Sequence, residues 1–133
     1  MTEEEVKEAI LSAQKPAEQG DVTSQHFLGI CYLGLKDYVM AAKWFEKAAE
    51  QGYADAQMRL GLQYTTGQGV PKDNVKGFEW IRKAAEQGYA RAQFHMGLSY
   101  AAGRGVSVDN AKAAEWYRKA AEQGDADAQY ELG

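Results

Sequence analysis

The side chains able to do chemistry are few and poorly placed for it. Two histidines, His26 and His95, and one cysteine, Cys31, stand among 19 carboxylates in a chain of 133 residues. A metal site needs three or four His, Cys or carboxylate ligands converging on one point. Neither histidine has such a ligand at the usual spacing, so no metal site is expected. Cys31 alone can form neither an internal disulfide nor a thiolate cluster, and it reads as a bystander thiol. A catalytic nucleophile needs a neighbouring base, and no such pair can be nominated. Gly-x-Gly-Val occurs at Gly67–Val70 and Gly103–Val106. A dinucleotide cradle would add a preceding strand and a third glycine, and a P-loop would add Gly-Lys-Ser/Thr. All are missing, so both segments read as tight turns with the valine tucked beneath. The expectation is a chain with no catalytic residue, metal or cofactor.

The elements that carry these residues come from a repeat. Ala-Ala-Glu-Gln-Gly ends at Gly52, Gly88 and Gly124, and a degenerate copy ends at Gly20. Trp44, Trp80 and Trp116 keep the same period, as do Gly61, Gly97 and Gly133, with Gly29 one shortened unit earlier. Each unit reads as two helices. In the second helix of the middle unit, Gly77, Trp80, Ile81, Ala84 and Ala85 form one apolar face, while Lys76, Glu79, Arg82, Lys83 and Glu86 are charged. Asp37, Asp73 and Asp109 precede the second helices, where a short acceptor caps the first-turn N–H groups. They read as caps, not as general acids. In the first helix, Ala56, Leu60 and Tyr64 make the stripe. Gly61 lies inside that helix, at a cost of about 0.5–1 kcal/mol relative to Ala. A close helix approach, with the Trp80 ring filling the space opposite, is the expected offset.

The boundaries follow. An amino-terminal capping helix covers 1–19, opened by the capping box Thr2-x-x-Glu5 and expected to kink or end at Pro16. A short repeat covers 20–51, full repeats cover 52–87 and 88–123, and a partial one covers 124–133. The partial repeat is expected to expose a stripe of Ala128 and Leu132, a possible route to end-to-end self-association.

Composition excludes several classes. The chain is 45% apolar and 26% charged, with 14 glycines but 2 prolines, so it is neither disordered nor a linker. Residues 22–122 carry ten acids and thirteen bases, interspersed, which is no nucleic-acid footprint. No apolar run approaches the roughly 20 residues of a membrane span. The start, Met1-Thr-Glu-Glu-Glu, is acidic and unlike a secretory signal. A cytoplasmic location is expected for the chain as it stands, or a periplasmic or secreted one if a signal has been removed.

The pattern Ala-x-Ala-Gln-x-x-Leu-Gly-x-x-Tyr, Gly-x-Gly-Val-x-x-Asp, Ala-x-x-Trp-x-x-Lys-Ala-Ala-Glu-Gln-Gly resembles the Sel-one-like repeat of the tetratricopeptide-like superfamily. The resemblance implies an all-α, right-handed superhelix of about three and a half antiparallel helix pairs. It implies a non-catalytic adaptor or scaffold that binds a partner protein or peptide in a concave groove lined by the first helix of each pair. Carried over by column, the groove residues are Thr23, His26 and Ile30; Asp55, Met58, Leu62 and Thr65; Arg91, Phe94, Leu98 and Ala101; then Asp127 and Tyr130. The expected floor is apolar, with Thr23, Asp55, Arg91 and Asp127 as a polar edge. The alternative is a regulatory subunit or inhibitor of a bacterial envelope or signalling enzyme. A cysteine-rich branch of the family, some of it associated with β-lactam binding, suggests a remote third reading as a weak hydrolase. The single Cys31 departs from that branch.

Overall fold

The computed structural model describes residues 1–133. It contains eight helices and no strand: α1 Glu3–Glu18, α2 Val22–Gly34, α3 Tyr38–Glu50, α4 Ala54–Thr66, α5 Asn74–Glu86, α6 Ala90–Ala102, α7 Asn110–Glu122 and α8 Ala126–Leu132. Each helix packs on the one before it and the one after it. Three complete pairs, α2/α3, α4/α5 and α6/α7, follow α1 and precede α8. This is the expected all-α solenoid.

Local chemistry sets the helix ends. Asp37, Asp73 and Asp109 cap α3, α5 and α7, accepting from the N–H groups of Met40, Lys76 and Lys112 at 3.0–3.2 Å. Asp21 and Asp125 do the same for α2 and α8. Thr2 and Glu5 form the reciprocal capping box of α1. At the end of α3, the N–H of Gly52 bonds Ala49 and that of Tyr53 bonds Ala48. Gly52 is left-handed there, with φ +90°, the conformation this helix stop needs. The Ala-Ala-Glu-Gln-Gly string therefore codes a stop that recurs after α5 and α7.

Three expectations are corrected. The helix α1 does not end at Pro16 but runs to Glu18. Pro16 sits in the last turn, and the carbonyl it leaves unbonded, that of Ser12, belongs to an exposed residue that water can reach. The ring facing Gly61 is not Trp80. A Cβ on Gly61 would lie 2.6 Å from Ile81 Cγ1 and 2.8 Å from the Gly77 carbonyl oxygen, and at Gly29 and Gly97 the aromatic rings of Phe45 and Tyr117 stand in that place. The tryptophans face the other way. Trp44 is 1% exposed among Ile10, Ala17, Leu28 and Cys31, that is, against α1 and α2. Trp80 packs on the Ala41–Phe45 cluster and Trp116 on the Ile81–Met96 cluster. So Phe45, Ile81 and Tyr117 close each pair, and the tryptophan bonds a pair to its predecessor. Finally, Ala128 is fully buried against Ala113, Tyr117 and Ala120, so the expected exposed stripe on α8 reduces to Leu132.

A ladder of glutamines runs through the stack. Gln25, Gln57, Gln93 and Gln129 donate through Nε2 to the carbonyls of Ala17, Ala49, Ala85 and Ala121, at 3.1–3.3 Å. These are carbonyls in the last turn of the preceding helix, short of helical partners. Gln51, Gln87 and Gln123 each donate 2.8 Å to Oε1 of Gln25, Gln57 and Gln93, and also to the carbonyls of Gly20, Gly52 and Gly88. The Gln amide carries its donor and its acceptor on separate atoms, Nε2 and Oε1, so it can give to one partner and accept from another at once. That property explains why Gln recurs at both positions.

Candidate functional site

The residues expected to line the groove divide into three groups. The first is bound up in joints between units. Asp55 in α4 accepts at Oδ2 from His26 Nε2 of α2 at 2.5 Å and from Arg59 Nε at 2.7 Å. Its Oδ1 accepts from the Tyr89 hydroxyl at the head of α6. One carboxylate thus ties three consecutive units. Burial alone would raise its pKa, but the donors from His26, Tyr89 and Arg59 outweigh it and hold the carboxyl far below the usual range. Because an ionised carboxylate only accepts, His26 Nε2 carries the proton. Burial and the Asp55 bond push the Tyr89 hydroxyl up to about 12. The His26 ring lies 4.7 Å from that of Tyr53. Arg91 repeats the joint with opposite sign. Its Nη1 donates to Asp127 at 2.8 Å and to Asp125 at 3.3–3.4 Å, and its guanidinium covers the Phe94 ring at 4.5 Å. His26, Asp55, Arg91 and Asp127 are therefore brought together in pairs, as links within the chain.

The second group is core. Met58 is 5% exposed and packs with Phe78, Ile81 and Met96, while Phe94 is 7% exposed and packs with Ala113 and Tyr117. Neither forms the open floor expected of it. Each lies against the second helix of its own pair, where an apolar side chain is withdrawn from water. Tyr130 of the same column is 83% exposed, and no further helix stands beside it.

The third group remains open. Ile30, Leu62 and Leu98 hold one column, one per unit, and each is half-buried with a free face. Thr23 and Ala101 are exposed and Thr65 is half-buried. Beside Leu62 lies a hollow of about 160 Å³ between α2 and α4. Leu33 and Leu62 form its apolar walls, buried Phe45 its floor, and Arg59, Thr66 and Gln68 its polar rim. Sequence reasoning missed Leu33, Arg59 and Gln68, which fall outside the columns carried over.

The remaining reactive groups are structural. Burial drives the His95 imidazole down to about 4, with Arg91 and Arg104 adding to it and Asp125 and Asp127 opposing. It is neutral at physiological pH and rests against Phe94 at 5.4 Å. Cys31 is buried, which raises its thiol pKa and makes it unreactive. No group of three or more His, Cys, Asp or Glu is placed to hold a metal ion. No helix is long and apolar enough to cross a membrane.

The fold and this face define a helical-repeat solenoid. The model of the Sel1 repeat matches residues 22–53, 54–89 and 90–125, and the chain belongs to that family. Among solved structures it is similar to c5321, described as a protective antigen present in uropathogenic Escherichia coli strains displaying an SLR fold. The TM-score is 0.87 at 40% identity, over 90% of this chain and 27% of that one. A Sel1 repeat protein from Oxalobacter formigenes superposes with TM-score 0.81 at 38% identity, over 92% and 95% of the two chains. Helicobacter pylori cysteine rich protein B, at 24% identity and TM-score 0.73, shares the fold. Among curated proteins, the DAP3-binding cell death enhancer 1 of Rattus norvegicus is 35% identical over 68 residues, covering 51% of this chain and 13% of that protein. The Sel1-repeat-containing protein YjcO of Escherichia coli is 37% identical over 67 residues, covering 47% and 29%. The matches thus span less than a third of either curated relative. Sel1 repeat proteins typically mediate protein–protein interaction and are in general non-catalytic scaffolds.

Proposed function

We propose that the chain is a non-catalytic adaptor that holds a segment of a partner protein along the first-helix face. The observation that carries this reading is the column Ile30, Leu62 and Leu98, half-open and repeated once per unit, with a hollow beside its middle member. A partner's apolar side chains would bury these free faces, at roughly 25 cal/mol per Å² of apolar area removed from water. Thr23 extends the same face toward the amino-terminal end. His26, Asp55, Arg91 and Asp127 keep the units in register so that the column stays straight. A regulatory subunit would use the same face, and the identity of a captured partner as an enzyme would select that role.

The test is affinity capture with the intact chain against Leu62→Glu and Leu98→Glu. Both sites are half-exposed, so the helices are expected to survive, which circular dichroism checks. Loss of the captured partner in both variants is the expected result. Capture undiminished in two folded variants refutes the assignment of this face.

A further inference from the structure

We infer that the hollow between α2 and α4 is an acid-reading anchor: it takes an apolar side chain of a partner segment whose neighbouring residue is Asp or Glu. This deepens the reading above and rests on it. The size argues for one side chain. At about 160 Å³ the hollow is below the roughly 300 Å³ at which small-molecule pockets begin. Leu33, Leu62 and Phe45 give it an apolar interior.

The charge argues for the acid. Arg59 is the one ionised group on the wall, and no carboxylate lines it. Arg59 spends only its Nε on Asp55, while its two terminal amino groups make no bond within the chain. A guanidinium held by one edge keeps a planar pair of donors, which matches a second carboxylate. Asp55 does not compete for that pair, because His26 and Tyr89 occupy it from two other units. The clasp thus serves as a splint that aims Arg59. At the next junction His95 holds the Arg59 column, and it is neutral. Only the first junction thus carries a cation in the wall itself; at the second, the charge is Arg104 in the exposed rim column of Gln68. Gln68 stands exposed on the rim and can be recharged without touching the core.

The test uses three immobilised libraries of short random peptides with a fixed central pair: Glu-Leu, Lys-Leu or Glu-Ser. The intact chain is expected to retain Glu-Leu peptides in preference to both others. For a retained Glu-Leu peptide, fluorescence anisotropy should show Gln68→Glu binding about threefold weaker and Gln68→Lys about threefold tighter, the scale of an exposed charge pair. Arg59→Met should lose roughly tenfold, the worth of a hydrogen bond to a charged group. Equal retention of Lys-Leu peptides, indifference to the charge at residue 68, or no retention of any library overturns the anchor. Leu98→Glu separates the two readings. If it abolishes partner capture while the libraries show no acid preference, the groove stands and the anchor falls.

Discussion

Asp55 and Arg91 hold the same column in successive units, carry opposite charge and do the same job by different physics. The Asp55 side chain is 15% exposed and receives donors from three units. The Arg91 side chain is 42% exposed; its close contact goes to Asp127, 62% exposed, so water screens that pair, and only the longer contact, at 3.3–3.4 Å, reaches buried Asp125. Burial, not charge, separates a joint that holds the stack from one that decorates it. The column therefore conserves a link between units while its strength is set by what covers it.

The largest test of this contrast is Asp55→Ala. Removing the carboxylate strands the His26 and Tyr89 donors together, at a cost of about 3 kcal/mol. Urea unfolding should show it, with Asp55→Asn losing less. A cost below that of Asp127→Ala would break the comparison. Next comes His95. Its pKa is lowered in the fold to about 4 from 6.5, so the unfolded chain binds more protons between those values. Stability from this group is complete above pH 6.5 and is lost as pH falls toward 4. For a half-buried ring the loss is on the order of 2 kcal/mol. Thermal melts of His95→Phe across that window should fall less steeply than those of the parent chain. Asp125→Ala removes both the α8 cap and an Arg91 partner, at about 1 kcal/mol, read as a lower melting temperature. Smallest is Asp127→Ala, at about 0.5 kcal/mol or less, vanishing in high salt.

Much of the fold was legible in the residues. Helix starts at Asp37, Asp73 and Asp109 and helix stops at Gly52 and Gly88 follow from residue type and spacing, whereas the column Ile30, Leu62 and Leu98 comes from the family resemblance. Three matters were not legible. Trp80 belongs to the apolar face of α5, but that face meets both its own pair and the preceding one, and spacing cannot divide it. The columns carried over from the family place Met58 and Phe94 in the groove, and spacing within one helix does not say that the second helix of the pair covers them. The glutamine ladder was visible as repeated Gln, yet an amide in a repeat says nothing about which carbonyl it will find.

The sequence by itself determined the period, the helix ends and the solenoid class, because caps, left-handed stops and apolar stripes are settled within four or five residues of chain. Only the tertiary structure decided which neighbour each side chain faces. That choice depends on how one helix pair is rotated against the next. The rotation turned Asp55 into a clasp across three units, sent Met58 and Phe94 into the core, and left Arg59 with two unspent donors beside an apolar hollow.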